Sequence, residues 1–252
     1  MNNKVYSKEF EVHYYEINKY KEATPVAILN YLEETAGCHS ESVGCGIDKL
    51  KQLGVAWVLS RWNLVMDRYP LWNDKITIET WSSGVERFYA TREFLLKDAK
   101  GDILGKASSL WIYLNMEKKR PLRVPAEIVE LYGTSPLKVM EDPFVDFIVP
   151  DSFEYIKEFI VRKCDIDTNL HVNNARYLEW LIESIPDETY EQYWLNSLEI
   201  IYKKETGYGI SINSKRTTFE NTTSDKIYGH SITSSTDAAE HALAKTTWKT
   251  RW

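Results

Sequence analysis

The chain reads as an α+β protein built from two copies of one unit, each a long helix wrapped by an antiparallel sheet. Three observations predict this. An internal repeat aligns Phe10 with Phe159, a 149-residue offset, and holds without a gap through Val12/Val161, Ile17/Ile166, Leu29/Leu178, Leu32/Leu181 and Glu34/Glu183. Glu16 meets Asp165, a conservative swap. Each copy then carries a capped helical segment, and each such segment is followed by stretches rich in β-branched and aromatic residues. A sheet wrapped around a helix is the economical way to bury both apolar surfaces.

The elements follow in order. Thr24 is an expected N-cap with Pro25 at the first helical position, and Ile28, Leu29, Leu32 and Ala36 then fall on one face. Strands are expected over Val55 to Met66, Ile76 to Trp81, Phe88 to Leu96 and Ile103 to Leu114, the last two joined by a turn at Asp98–Asp102. In the second copy Asn173 replaces Thr24 as the cap. Leu178, Leu181, Ile182 and Ile185 keep helical spacing until Pro186 ends or bends the helix. Strands follow over Leu198 to Lys203, Ile210 to Thr218, Lys226 to Ser234 and Ala242 to Thr250. Pro136, Pro143 and Pro150 mark a linker, giving an N-terminal domain over 1–133, a linker over 134–152 and a C-terminal domain over 153–252.

Composition narrows the function. The 252 residues are 43% hydrophobic and 27% charged, an ordinary globular mixture. A net charge of −6 argues against a general nucleic-acid binder, although it allows a local basic patch. The opening Met1-Asn2-Asn3-Lys4-Val5-Tyr6 has no apolar signal core, and no segment approaches a membrane span, so a cytoplasmic protein is expected. Cys38, Cys45 and Cys164 form no Cys-x-x-Cys pair and read as reduced thiols, with Cys164 a small buried residue. Cys38-His39 has no second pair at ligand spacing, so no metal is expected; these two read as helix-face residues. His230 and His241 fall on expected strands, in structural or exposed positions. There is no Gly-rich phosphate loop and no Gly-x-Ser-x-Gly elbow, which speaks against a serine hydrolase.

The densest polar stretch is Asp165-Ile166-Asp167-Thr168-Asn169-Leu170-His171-Val172-Asn173-Asn174, between a strand and the start of the second helix. A helix N-terminus offers free N–H groups and a positive dipole end, where a developing oxyanion can be held. Asp167, Asn169 and His171 alternate, so in an extended segment they project to one side. Their counterparts in the first copy are Asn18, Tyr20 and Glu22, so that copy lacks the trio. The pattern alone serves equally well as an Asx-rich turn with a capping Asn and an exposed His. A basic run, Lys118-Lys119-Arg120 with Arg123, reads either as a solvated loop or as a patch that steers an acidic partner.

Asp167-x-Asn169-x-His171-Val172-Asn173-Asn174-x-x-Tyr177 resembles the signature of the plant and bacterial acyl-acyl carrier protein thioesterases. Trp57-Val58-x-Ser60-Arg61, Tyr69-Pro70-x-Trp72-x-Asp74 and Ile78-Glu79-Thr80-Trp81 resemble that family's first domain, as does Leu96-Lys97-Asp98 followed by Gly105-Lys106-Ala107-Ser108-Ser109-x-Trp111. Ser197-Leu198-Glu199-Ile200-x-Tyr202-Lys203-Lys204-Glu205 resembles the strand after its catalytic loop.

The resemblance covers most of the chain in order. It implies a tandem of two hot-dog domains, an acyl tunnel mainly in the first and the catalytic set in the second. Asp167, Asn169, His171 and Glu205 take the catalytic positions. Leu29 and Leu32 are the expected pocket residues, and Lys118, Lys119, Arg120 and Arg123 the expected carrier contacts. Thr206 follows Glu205 where many plant members have a cysteine once proposed as nucleophile, which favours carboxylate-centred chemistry. The implied reaction is hydrolysis of a fatty acyl-acyl carrier protein thioester without metal or organic cofactor, by a protein that leaves room for a homodimer. The rivals are an acyl-coenzyme A thioesterase and a non-catalytic acyl-binding protein on the same fold.

Overall fold

The computed structural model describes residues 5–219 and 224–251; Met1–Lys4, read above as lacking a signal core, lie outside them. The chain divides into two compact units, Met1–Pro143 and Phe144–Trp252.

The first unit contains β1 (Tyr6–Glu11), α1 (Pro25–Ser42), α2 (Ile47–Gln52), β2 (Val55–Met66), β3 (Lys75–Glu86), β4 (Tyr89–Asp98), β5 (Ile103–Asn115), the short β6 (Arg120–Pro121) and α3 (Ala126–Tyr132). Its antiparallel sheet has the order β1-β3-β4-β5-β2, with β6 beside β5. Thr24 caps α1 by accepting a hydrogen bond from Ala27 N at 3.1 Å, and Pro25 opens the helix, where its missing N–H is no loss. Ile28, Leu29 and Leu32 are fully buried, and α1 packs on β3. Ile76, Ile78, Phe94 and Leu96 supply fully buried side chains from the sheet. β3 outruns its expected end at Trp81. Ser82 and Ser83 are polar yet buried, and Ser83 Oγ donates to Glu93 Oε1 at 2.7 Å and lies 2.9 Å from Thr91 Oγ1, so hydrogen bonding rather than apolar patterning satisfies this end of the strand.

The second unit repeats the plan with β7 (Tyr155–Ile160), α4 (Asn174–Ile182), α5 (Asp187–Gln192), β8 (Tyr193–Tyr202), β9 (Ser211–Phe219), β10 (Lys226–Ser234) and β11 (Glu240–Thr250). Its order, β7-β9-β10-β11-β8, matches that of the first unit element for element. The 149-residue offset relates β1 to β7, the 3₁₀ turn Tyr14–Glu16 to Lys163–Asp165, and the start of α1 to that of α4.

Three expectations need correction. The second helix is not long: α4 has 9 residues against 18 in α1. Ile185, placed by periodicity on its buried face, lies beyond its end in a turn where Ser184 Oγ donates to Leu181 O, and Pro186 then opens α5. The proline forbids continuation and disfavours helical backbone at the residue before it. Cys164 is exposed rather than buried, because the 3₁₀ turn directs the neighbouring Asp165 inward instead. His39 lies on α1 as expected, on its buried face, with its Nδ1 2.8 Å from Arg92 Nη1. His230 and His241 are buried as well.

The proline-marked stretch is bound to its own units. In the first, Ser135 N donates to Ser82 O, Trp81 Nε1 to Leu137 O and Asn63 Nδ2 to Pro143 O, each near 2.9 Å. In the second, Val149 lies so close over Gly229 that a Cβ there would sit 3.1 Å from its Cγ1 and 2.8 Å from the Phe219 ring.

Candidate active site

Both units make the same loop before the helix. In the first, Asn18 Oδ1 accepts from Tyr20 N and Glu22 N, and Asn18 N donates to Glu22 O. In the second, Asp167 Oδ1 accepts from Asn169 N at 2.8 Å and from His171 N at 3.4 Å, and Asp167 N donates to His171 O at 2.8 Å. Lys21 and Leu170, one residue before the last, have φ of +63° and +66°. The trio therefore does not sit on an extended segment, as alternation implied. It is gathered by a tight turn around the Asp167 carboxylate. The first copy also keeps the turn-forming Asx residue, so this part of the motif is scaffold; what is particular to the second copy is the histidine and the full carboxylate.

Beneath the loop lies a second carboxylate. The Asp165 side chain is completely buried, bound by Arg162 Nη2 at 2.7 Å and by Arg162 N at 2.7 Å, while its carbonyl accepts from Asn173 N. Burial would raise its pKa, but the hydrogen bonds from Arg162 outweigh this and hold the carboxyl below its ordinary range. Asn173 Oδ1 caps α4 through Ala175 N at 2.9 Å. The Asn173 N–H is thus occupied, and the Asn174 N–H is the first one of the helix without an intrahelical acceptor.

Glu205 reaches the loop from the segment after β8. Val172 N donates to Thr206 O at 3.0 Å, and this bond sets the Glu205 carboxylate oxygen 3.1 Å from His171 Nδ1. Their side chains are 52% and 30% exposed, so the pair is open to an incoming substrate. Tyr177 on α4 forms the buried floor: burial first, then the Glu205 carboxylate, push its phenol well above the ordinary range. Tyr202 packs edge-on against Tyr177 and donates its hydroxyl to Asn174 O at 3.0 Å. Thr206, in the position of the plant cysteine, is buried, and its Oγ1 has no hydrogen-bond partner among the described residues. A hydroxyl shut away from solvent and lacking a base is poorly placed to act as a nucleophile.

The structure thus brings Asp167, Asn169, His171 and Glu205 together. Lys118, Lys119, Arg120 and Arg123 are exposed at and after the turn that leaves β5, in the first unit. Leu29 and Leu32 belong to the buried face of α1. Asp165 and the Thr206 carbonyl are supports that the side-chain pattern does not announce. The first could have been found from the repeat, since Glu16 at the same place accepts from His13 N and Tyr31 OH; the second acts through backbone and leaves no mark in the side-chain pattern. Among the described residues no group of three His, Cys, Asp or Glu side chains could hold a metal ion.

Two units, each a helix held against a five-stranded antiparallel sheet, with a histidine–carboxylate pair at the helix N-terminus of the second, define a tandem hot-dog protein. Residues 3–132 match the model of the acyl-ACP thioesterase N-terminal domain and residues 150–250 that of the C-terminal domain. The chain belongs to the acyl-ACP thioesterase family. It is 31% identical over 218 residues to a chloroplastic acyl-[acyl-carrier-protein] hydrolase of Cuphea viscosissima, covering 81% of this chain and 52% of the relative. It is 32% identical over 225 residues to the chloroplastic oleoyl-acyl carrier protein thioesterase 2 of Arabidopsis thaliana, covering 79% and 59%. The chain therefore spans little more than half the length of these relatives. Its fold is that of an acyl-ACP thioesterase from Bacteroides thetaiotaomicron (TM-score 0.87, 23% identity, 98% of both chains) and of a 12:0-ACP thioesterase from Umbellularia californica (TM-score 0.86, 24% identity, 98% of both chains). No helix among the described residues is long and apolar enough to cross a membrane.

Proposed function

We propose that this chain hydrolyses the thioester of a fatty acyl chain carried on acyl carrier protein, releasing the free fatty acid. The observation that carries the reading is the His171 Nδ1–Glu205 contact of 3.1 Å, set at the N-terminus of α4 in a chain of this family. Glu205 takes a proton from a water molecule, whose oxygen attacks the thioester carbonyl; the C–S bond then breaks and the proton passes to the leaving thiolate. His171 and Asn169 orient the water and the carbonyl. The Asn174 N–H and the dipole of α4 stabilise the oxyanion. Both Asp167 carboxylate oxygens already accept hydrogen bonds within the loop, which favours orientation over direct attack as its role.

In this reading the first unit receives the acyl chain beside Leu29 and Leu32, and the exposed Lys118, Lys119, Arg120 and Arg123 attract the acidic carrier. The protein acts in the cytoplasm, and a homodimer is compatible with it. The test is hydrolysis of matched acyl thioesters of acyl carrier protein and of coenzyme A by the purified chain. Turnover of the carrier substrate at the higher kcat/KM supports the proposal. Preference for coenzyme A makes the chain an acyl-coenzyme A thioesterase, and binding without turnover of either makes it an acyl-binding protein.

A further inference from the structure

The two copies differ at three exposed positions in a way that the shared scaffold does not require. On β7, Ile156 and Ile160 are 57% and 65% exposed, where the equivalent positions of β1 hold the exposed Ser7 and Glu11. At the tip of the catalytic loop Leu170 is 78% exposed, where the first copy has Lys21. Tyr208, 61% exposed, and Ile210 extend from the segment that is tied to this region by the bonds from Val172 N to Thr206 O and from Val161 N to Ile210 O. Ser7, Glu11 and Lys21 show that the same backbone tolerates polar residues at these places. Leu170 carries a second cost, because φ = +66° disfavours a leucine by roughly 1–2 kcal/mol, a strain that asparagine bears more easily. Exposed apolar side chains on segments bonded to one another, where the scaffold does not require them, point to an interaction site.

We propose that Leu170, Tyr208, Ile160 and Ile210, with Lys163, form the seat on which the acyl carrier protein docks; this rests on the function proposed above. The occupant follows from position and charge. Leu170 stands between Asn169 and His171, so the surface adjoins the reacting groups, and a carrier that presents its thioester on a tethered arm must rest within reach of them. The Lys163 ammonium lies over the Tyr208 ring at 5.7 Å and has no carboxylate partner among the described residues, whereas the nearby Arg162 and Arg176 are bound to Asp165 and Glu179. The region thus offers exposed apolar side chains with an uncompensated cation beside Tyr208, complementary to an acidic protein with apolar contact residues. The basic run of the first unit acts at long range on association, while this seat acts on the docked complex.

The experiment compares Leu170→Asn and Ile160→Glu with the wild-type chain. The first suits the left-handed backbone, and the second introduces the residue that the other copy carries. For each protein that melts as the wild type does, kcat and KM are measured on acyl-acyl carrier protein and on the matching acyl N-acetylcysteamine thioester, alongside the mass in solution. The expected result is a KM for the carrier substrate raised about ten-fold, the loss typical of a removed interface anchor, with the small thioester cleaved as before. Equal losses on both substrates, or an unchanged KM on the carrier, overturn the docking seat. An unchanged KM with loss of a wild-type dimer makes the surface a face between copies. If the wild-type chain does not cleave the carrier substrate at all, the functional reading falls and the seat with it; if it does and the variants match it, only the seat falls.

Discussion

His230 offers a measurable link between the core of the second unit and pH. It lies on β10 with no solvent exposure, its Nδ1 3.4 Å from Ser184 Oγ and its Nε2 2.9 Å from Thr246 Oγ1. Arg216 is its register partner on β9, and the Arg216 guanidinium in turn lies over the Tyr228 and Tyr155 rings. Burial and then the Arg216 cation push the His230 pKa down from 6.5 to about 3. The unfolded chain therefore binds a proton near pH 6.5 that the folded chain refuses until near pH 3. The stability contributed by this neutral histidine is complete above pH 6.5 and is lost as pH falls towards 3, at about 1.4 kcal/mol per pH unit well inside that window. From pH 7 to pH 5 the loss is about 2 kcal/mol. The depressed Asp165 carboxyl acts in the same direction but lower, as pH falls through its folded pKa, which lies below the ordinary value of 3.8. Urea unfolding of the wild type and of His230→Gln at pH 7, 6 and 5 isolates the effect, since the variant lacks the titrating ring whatever its absolute stability. The wild type is expected to lose about 2 kcal/mol more than the variant over that interval. Parallel pH profiles for the two proteins would refute the assignment of a neutral buried ring.

Four further outcomes are expected. Glu205→Gln should fold normally and lose roughly 10²–10⁴-fold in turnover, the range for a positioned acid–base group; near-normal turnover removes Glu205 from the mechanism. Thr206→Ala should lower turnover far less than His171→Ala, because its hydroxyl is buried without a partner; equal losses in folded proteins would restore a nucleophilic role to position 206. Reversing Lys119 and Arg120 to Glu should raise the KM for carrier substrates in a salt-sensitive way and spare small thioesters, and equal effects on both would make the run structural. Leu29→Ala and Leu32→Ala should shift the chain-length profile of the products, at about 0.8 kcal/mol per methylene of altered pocket, while Leu178→Ala and Leu181→Ala should affect stability and overall rate. All four side chains are almost wholly buried, so a cost of about 2–5 kcal/mol is expected for each and profiles are compared at temperatures where the variants are folded. A shifted profile from α4 alone would reverse the roles of the units.

The loop before each helix shows one scaffold carrying two sets of side chains. The turn, the left-handed residue and the capped helix are common to both copies. The side chains differ at every position of the turn, and among them Asn18, Tyr20 and Glu22 stand where Asp167, Asn169 and His171 do. In the first copy the carboxylate at the histidine position is satisfied within the loop, since Asn18 Nδ2 donates to Glu22 Oε2. In the second, the histidine turns to a carboxylate from outside the loop.

The repeat was legible in sequence because identical backbones ask for similar residues at the same intervals: Phe10 and Phe159, the capping Thr24 and Asn173, and Leu29 and Leu178 all fell at one offset and occupy equivalent places. Strands patterned by alternating apolar residues were found nearly whole, β2 and β10 to the residue. The ends of β3 were hidden because buried serines satisfied by hydrogen bonding stand there, and the end of α4 was misjudged because Ile185 is held inward by a turn that periodicity cannot distinguish from helix. Local sequence also marked Asp167, Asn169 and His171 as a unit, although it suggested alternation along a strand where a turn around one carboxylate does the gathering. Glu205, 34 residues beyond His171, could be joined to them by resemblance alone. Only the tertiary structure placed it, through the hydrogen bond from Val172 N to Thr206 O. A contact between distant segments depends on backbone groups that every residue shares, and such groups leave no trace in the identity of the side chains.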